Sequence, residues 1–358
     1  MIFDRASPAA ATLAAAILSI AAALSSCAPE RVVEAEADLV VYSSHPADLA
    51  KTIVDEFRER TGSRVRIVSD GTGALLERLA SGEGDDADVL WGGGAESLVA
   101  NINLFEAYLS PERSAIPASL RDEAGYWTGF TVLPMVIIYN ARLVPESVAP
   151  SRWSDLLNPA LAGSVAFADP ATSGSSYTIL RTMLVAGRAA VAGRAAVAGS
   201  SETDPADEAA WRLVERFVGA IGGSPLDESA QVYRGVASGE YLAGVTYENA
   251  GAESRRLGSD VRLVYPADGT SAVPDGVAIL RGAPHAEAAR KFVDFVLGSD
   301  VAGVVAARFG RRSARRDAPV PDGLPPFESI RLLDYDFDAA VSHRKATIER
   351  FADLTSTF

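Results

Sequence analysis

Cysteine and histidine are both scarce in this sequence. The 358 residues include one cysteine, Cys27, and three histidines, at positions 45, 285 and 343. One cysteine excludes a disulfide within the chain, a cysteine-rich metal site and a Cys-X-X-Cys redox pair. The histidines are too far apart for an HExxH motif or a paired-histidine zinc site. We therefore expect no metal centre and no cofactor.

Other common enzyme signatures are also absent, and positive charge is in short supply. The sequence contains no GxSxG elbow, no Walker loop and no GxGxxG motif. Its 33 basic residues are outnumbered by 47 acidic ones, giving a formal net charge of −14. Nucleic acid is thereby excluded as a partner, since phosphate contacts need clustered Lys and Arg. A small anion is still possible, because backbone amides and hydroxyls hold phosphate without a cation.

The amino-terminal segment contains a long apolar run. Ala9–Leu24 is almost continuously apolar, which suits the hydrophobic region of a signal peptide better than a spanning helix. It ends in Leu24-Ser25-Ser26-Cys27, which resembles a bacterial lipobox. We expect residues 1–27 to be a lipoprotein signal peptide, 28–37 to be a tether, and Cys27 to carry the lipid. An ordinary signal peptide or a membrane anchor is the alternative.

Beyond the tether, apolar strands alternate with amphipathic helices. Leu39–Tyr42, Val65–Val68 and Val89–Trp91 are predicted strands, each followed by a polar or glycine-rich turn and then a helix. This alternation predicts an α/β fold with a largely parallel sheet, whose strand-to-helix loops gather at one edge. The long apolar segment Tyr126–Asn140 predicts a strand that runs from one lobe into another.

A second set of small polar residues precedes a helix in the middle of the chain. Ser164–Ala168 predicts a strand, Ala171–Ser176 a loop, and Tyr177–Leu184 a helix. A Ser/Thr/Gly loop that opens a helix favours anions, because the first helical N–H groups have no internal partner. The alternative is that these hydroxyls only cap the helix.

Three further segments are simpler to interpret. The repeat RAAVAG, present twice from Arg188 to Gly199, is predicted to be a surface insert. The five arginines of Arg308–Asp317 predict a solvated face. Asp338–Phe351 is predicted to be a final helix.

The order of motifs resembles the extracytoplasmic solute-binding proteins of bacterial ABC importers. The resemblance covers about Asp38 to Leu354 and is to the branch that includes ferric-ion-, hexose-phosphate- and aminoethylphosphonate-binding proteins. The motifs that carry it are, in chain order, YSSHP, SDGTG, DVLWGGGAESL, LPMVIIYN, DPATSGSSYT, GEYLAGVTYENA, PDGVAIL and LLDYDFDAA.

The resemblance implies a two-lobed type II periplasmic-binding-protein fold with crossing hinge strands and a ligand cleft between the lobes. Residues 38–133 with about 270–318 would form lobe 1, and 134–269 with about 319–358 would form lobe 2. It also implies a permease and an ATPase as partners and no catalysis. We expect a monomer.

Particular residues indicate which class of ligand the protein binds. Ferric-binding relatives use adjacent tyrosines late in the second lobe, whereas the matching place here has Tyr247 followed by Glu248. Tyr247, Glu248 and His45 could still bind iron, but this site would lack the second tyrosine of the ferric-binding relatives. Phosphate-ester relatives instead use Gly/Ser/Thr loops at helix starts. Candidates of that kind are Ser44, His45, Thr72, Gly73, Ser173, Ser175 and Ser176. His45 adds a charge-assisted hydrogen bond if it is protonated, or else packs or caps.

The organic end of a phosphate ester also needs recognition. Asp227 and Glu248 resemble the acidic residues that hexose-phosphate binders use on sugar hydroxyls, and would equally pair with a ligand ammonium. Alternatively, each is a surface carboxylate. The sequence therefore favours a lipid-anchored, extracytoplasmic binding protein for a phosphorylated small organic solute, hexose phosphate first. Ferric iron and aminoethylphosphonate are the alternatives within transport, and a phosphate-ester hydrolase or structural lipoprotein outside it.

Overall fold

The structure is a computed structural model that describes residues 37–84, 86–192 and 205–357. The predicted signal peptide, Cys27, nearly all of the tether and the second RAAVAG copy lie outside the described residues. Across the described ranges, none of the helices has the length and apolar character needed to span a bilayer.

The first part of the chain forms a parallel three-stranded unit. Strands β1 (Leu39–Ser43), β2 (Val65–Ser69) and β3 (Val89–Gly94) pair with β1 in the middle. The connecting helix α1 (Ala47–Thr61) buries one apolar face and ends at Gly62, whose φ of 72° is the left-handed conformation that glycine adopts readily. Helices α2 (Thr72–Ala80) and α3 (Ala95–Ala100) follow β2 and β3.

The rest of the sheet is mixed, and the prediction of a largely parallel sheet is wrong. The central strands β5 (Thr128–Asn140) and β9 (Ala272–Leu280) run antiparallel to each other, and β9 runs antiparallel to β3. The antiparallel pairs arise because β5 and β9 carry the chain from one half of the sheet to the other. A parallel pair would instead need a helical crossover between its strands.

Strand β5 belongs to both halves of the sheet. Its first half pairs with β9, and its second half pairs with β7 (Ala243–Tyr247) and β8 (Val261–Val264). The main strand order is β2-β1-β3-β9-β5-β7-β6. The remaining strands are β4 (Phe105–Glu106), β6 (Val165–Ala166) and β10 (Arg312–Ser313).

Apolar side chains form separate clusters on the two sides of the crossing strands. One cluster packs Trp91 and Phe57 against Phe292, with ring centroids about 5 Å apart. A second packs Phe167 between Phe217 and Phe351. The two clusters are compatible with the predicted lobes, whose boundaries stay a prediction.

Eight further helices follow in the described ranges. They are α4 (Gly174–Ala192), α5 (Pro205–Ala220), α6 (Ser229–Ser238), α7 (Glu248–Arg256), α8 (Ala286–Val296), α9 (Ser299–Phe309), α10 (Phe337–Ser342) and α11 (Arg344–Thr355). Short 3-10 helices occur at Ile102–Leu104, Pro111–Ala115, Ala118–Leu120, Trp153–Leu157, Pro159–Leu161 and Phe327–Ser329.

Two helix boundaries differ from the prediction in ways that matter for the site. Helix α4 begins at Gly174, so the polar loop before it is shorter than predicted. The predicted final helix is two helices, because the chain breaks at His343, where φ is −96° and ψ is 5°. Arg344 is consequently the first residue of α11.

The arginine-rich segment is not a solvated face. Arg311 and Arg312 are 7% and 4% exposed and pair with the buried carboxylates of Asp275 and Glu248. A charge run in sequence usually indicates exposure, but here each buried guanidinium has a carboxylate partner far away in the chain.

Candidate functional site

A cavity of about 690 Å³ lies over the crossing strands. Leu133 and Met135 of β5 and Val273 of β9 form part of its wall. The other lining residues come from both sides of β5 in the chain: Gly71, Thr72, Gly73, Gly94, Glu96, Ser97, Ala171, Thr172, Ser173, Gly174, Ser175, Thr178, Asp227, Glu228, Ser229, Ala230 and Arg344.

Three helices of eight or more residues begin at this cavity. They are α2 at Thr72, α4 at Gly174 and α6 at Ser229. The first N–H groups of a helix have no intrahelical acceptor, and the helix dipole favours negative charge there. At α2 no side chain caps the helix. The cavity therefore has the backbone chemistry of an anion site.

The loop at α2 is packed tightly against the end of β3. Thr72 Oγ1 donates a hydrogen bond to Ser44 Oγ at 3.0 Å. A Cβ on Gly93, whose φ is +85°, would lie 2.7 Å from Thr72 Cγ2. This glycine, predicted to be in a turn, is the penultimate residue of β3 and leaves room for the threonine. Thr72 and Gly73 line the cavity, and Ser44 lies behind Thr72.

The hydroxyls of the loop at α4 include one that caps the helix, and anion binding by this loop stays a prediction. Ser173 Oγ accepts the N–H of Ser176 at 3.2 Å and lies 3.2 Å from Ser175 Oγ. Ser173 thus caps the helix while it and Ser175 also line the cavity. Ser176 is 1% exposed and is not among the lining residues. Thr172 donates to the backbone carbonyl of Asp227 at 2.8 Å and thereby joins this loop to the start of α6.

The two predicted acidic residues are in different places. Asp227 is exposed and lines the cavity. Glu248 does not line it and is buried in a structural network. The single N–H of Arg312 Nε is shared between the two carboxylate oxygens, at 2.8 and 2.9 Å, and Oε1 also accepts a hydrogen bond from the Tyr265 hydroxyl at 2.5 Å. This corrects the prediction for Glu248, since its oxygens are already occupied by protein donors.

Tyr247 is also outside the cavity lining. Burial raises the pKa of Tyr247 to about 12, and its ring lies 6.5 Å from that of Tyr233. In the absence of a metal ion, the phenol of Tyr247 therefore keeps its proton. Within the described ranges no three His, Cys, Asp or Glu side chains come together as a candidate metal cluster.

The surroundings of His45 disfavour the cationic role predicted for it. The side chain is buried between Trp91 and Phe130, with ring centroids 4.7 and 5.2 Å away. Burial lowers the pKa of His45 to about 4, although Asp275 opposes the shift from 3.8 Å. The imidazole is neutral near neutral pH, so of the two interpretations the structure favours the packing one.

Arg344 is the cation of the cavity, and the sequence analysis missed it. Its guanidinium lies 4.3 Å from the centroid of the Tyr177 ring and forms no ion pair with any residue that the structure describes. The Tyr177 hydroxyl donates to the carbonyl of Ala340, which holds α10 against α4. Arg344 lines the cavity as the first residue of α11, directly after the helix break at His343. The sequence there has a pattern typical of one continuous helix, so it did not indicate this position.

Glu96 and Thr178 were also missed. Both are buried cavity residues, and Thr178 Oγ1 donates to Glu96 Oε1 at 2.8 Å. Glu96 lies in the GGGAESL motif, at the start of α3. An acidic residue two positions after a glycine run was the available signal.

The architecture is that of a type II periplasmic binding protein. The periplasmic binding protein AfuA from Actinobacillus pleuropneumoniae, solved with fructose-6-phosphate bound, superposes with a TM-score of 0.74 at 22% identity, covering 89% of this chain and 98% of that one. The ferric binding protein from Campylobacter jejuni gives a TM-score of 0.73 at 18% identity, covering 88% and 99%. At these identities the similarity establishes the fold.

Residues 92–339 match the family described as bacterial extracellular solute-binding protein, and the chain belongs to this family. An uncharacterized protein of Haemophilus influenzae is 26% identical over 332 residues, which are 88% of this chain and 90% of that protein. A putative 2-aminoethylphosphonate-binding periplasmic protein of Salmonella typhimurium is 24% identical, covering 90% and 94%.

Proposed function

We propose that this protein is the substrate-binding component of an ABC importer and binds a phosphorylated small organic solute in the cavity. The supporting observation is that three helix starts line the same cavity, of which α6 is capped by the Glu228 side chain and α2 has no side-chain cap, together with a guanidinium that forms no ion pair within the described residues. Thr72, Ser173 and Ser175 add hydroxyl groups to the amides. Arg344 supplies a charged donor, which strengthens a hydrogen bond to phosphate.

Hexose phosphate is the first ligand to test. A cavity of about 690 Å³ is larger than inorganic phosphate needs and falls in the range of small-molecule sites. Asp227 lies in the same lining as Thr72 and Arg344, so a ligand with its phosphate at the helix starts has a carboxylate acceptor within the cavity. The protein would act by binding and release, with closure of the two lobes over the ligand, and would catalyse no reaction.

The remaining parts of the proposal concern partners and location. A permease and an ATPase receive the solute from a binding protein of this kind. Cys27 would carry the lipid that tethers the protein on the extracytoplasmic side of a membrane, as supported by the single cysteine after Leu24-Ser25-Ser26.

Calorimetric titration of variants tests the role of the cavity. Arg344→Gln should weaken binding of fructose 6-phosphate about 10- to 100-fold, since a hydrogen bond to a charged group contributes about 1.5–3 kcal/mol. Lys345→Gln is the matched control, because Lys345 is next to Arg344 in the chain, but its side chain is 88% exposed and pairs with Glu349. Fructose should not bind the parent chain measurably.

The two hydroxyl loops are tested in the same way. Thr72→Val should weaken binding about tenfold with little loss of stability. Ser173→Ala should weaken binding similarly and also destabilise the fold by about 1 kcal/mol, because Ser173 caps α4. Unchanged affinity in both loop variants and in Arg344→Gln would refute the phosphate site. Tight binding of ferric citrate by the parent would favour the iron alternative instead.

A further inference from the structure

Glu96 is a buried carboxylate in the cavity that none of the proposed phosphate contacts uses. Its side chain belongs to a residue that is 8% exposed, at the start of α3. Oε1 accepts hydrogen bonds from the Thr178 hydroxyl and the Tyr335 hydroxyl, both at 2.8 Å. These donors come from α4 and from the segment before α10, so two distant parts of the chain fix the orientation of this carboxylate.

Both hydroxyl groups remain donors. Burial and the neighbouring carboxylate raise the pKa of Tyr335 well above its usual value, so its phenol keeps the proton. Oε1 is therefore satisfied. Among the described residues none donates a hydrogen bond to Oε2, and no Lys, Arg or His forms an ion pair with Glu96.

Gly94 leaves the space beside Oε2 open. A Cβ at position 94 would lie 3.1 Å from Oε2, which is tighter than most contacts of this kind. Gly94 and Glu96 both line the cavity. The free oxygen of the carboxylate therefore lies at the cavity wall, where a ligand can reach it.

In the part of the chain that the structure describes, Glu96 Oε2 has no protein donor and is not among the buried polar atoms, so it is open to the cavity, and a ligand that excludes water there must supply the missing donor. We propose that Glu96 determines specificity by accepting, at Oε2, a hydrogen bond from a hydroxyl or ammonium group on the organic part of the ligand. The inference rests on the proposed function, because it assumes that the phosphate lies at the helix starts. It assigns to Glu96 the discriminating role that the sequence suggested for Glu248, whose oxygens are occupied.

Burial makes Glu96 a better discriminator than the exposed Asp227. Water replaces a lost ligand donor at an exposed carboxylate, whereas a buried one is left unpaired. Sites that hydrogen-bond a buried substrate group reject an analogue without it by factors of about 10⁴.

A matched ligand series tests this assignment. The probes are 2-aminoethylphosphonate, 2-hydroxyethylphosphonate and ethylphosphonate, which share the anionic head, together with fructose 6-phosphate. In calorimetric titrations of the full mature chain, at least one donor-bearing probe should bind about 100-fold more tightly than ethylphosphonate. In Glu96→Gln that preference should fall below about tenfold, while the affinity for ethylphosphonate changes less than about twofold. Loss mainly for the aminoethyl probe would identify an ammonium, and loss mainly for the hydroxyl-bearing probes would identify hydroxyls.

Two further variants separate recognition from structure. Gly94→Ala retains the carboxylate but crowds Oε2, and should lower the same preference. Glu253→Gln, an exposed carboxylate outside the cavity lining, should leave the preference unchanged. An unchanged preference in Glu96→Gln, or an equal loss for all probes, would refute the inference and leave the phosphate site intact. Failure of every phosphorus-bearing probe to bind the parent chain would refute the proposed function itself, and the inference with it.

Discussion

Replacing Glu248 by glutamine separates a structural carboxylate from a ligand-binding one. The Glu248 and Arg312 side chains are 2% and 3% exposed, and Arg312 Nε lies 2.8 and 2.9 Å from the two carboxylate oxygens. Removing one partner of a buried pair costs about 3–5 kcal/mol, because the other charge is left uncompensated. Glutamine keeps an acceptor, so we expect a loss of about 3 kcal/mol. The melting temperature should fall by about 5 °C.

Denaturant unfolding and calorimetric titration together are the assay. Glu248→Gln should be destabilised while its ligand preference is unchanged. The double variant with Arg312→Met should be less destabilised than the sum of the single changes, with a coupling of about 1 kcal/mol or more. Glu253→Gln is the control on the same helix, since its pair with Arg256 is exposed and should matter by less than about 1 kcal/mol. A Glu248→Gln variant of parental stability with altered ligand preference would show this reasoning to be wrong.

Three further predictions concern pH, packing and lipidation. Burial lowers the pKa of His45 to about 4 from a usual value of 6.5, so the unfolded chain binds more protons between these values. The free energy of unfolding should therefore fall by about 3 kcal/mol as the pH drops from 6.5 to 4, and His45→Phe should lack this part in pH-dependent denaturation; equal slopes would contradict it. Gly93→Ala should destabilise the fold by about 1–3 kcal/mol and weaken fructose 6-phosphate binding, because its Cβ would meet Thr72 at a φ of +85°; parental unfolding and titration curves would argue against that packing. Cys27→Ser should abolish labelling by a palmitate analogue in cells, and equal label in variant and parent would rule out the lipid anchor.

Local patterns were sufficient for the first strands and helices. The apolar run Leu39–Tyr42 and the helical spacing of Leu49, Ile53 and Phe57 predict β1 and α1 closely, because burial on one face of an element has a fixed period. Strand direction was not predictable in this way. The antiparallel pairing of β9 with β3 and β5 depends on where the chain returns, and apolar runs do not record it.

The site residues likewise fall into those with a local sequence signal and those that depend on long-range contacts. Thr72 and Ser173 were predicted because a hydroxyl beside a glycine at a helix start is a local signal, and Asp227 from the resemblance to hexose-phosphate binders; all three line the cavity. Arg344 depends on the break at His343, and Glu248 on a partner 64 residues later. Long-range pairing decides whether a polar side chain is free for a ligand or already occupied, and no short window of sequence contains that information.

Thermal-shift measurement of the mature protein, with phosphorus-bearing ligands and their counterparts without phosphorus, tests the central claim most directly. At about a hundred times its dissociation constant, a phosphorus-bearing ligand such as fructose 6-phosphate or 2-aminoethylphosphonate should stabilise the native state by about 2.7 kcal/mol. Fructose and ethanolamine should give no shift, and Arg344→Gln should lose most of the stabilisation at the same ligand concentration. Stabilisation by ferric citrate alone, or by fructose as strongly as by its phosphate, would contradict a cavity built for a phosphorylated solute.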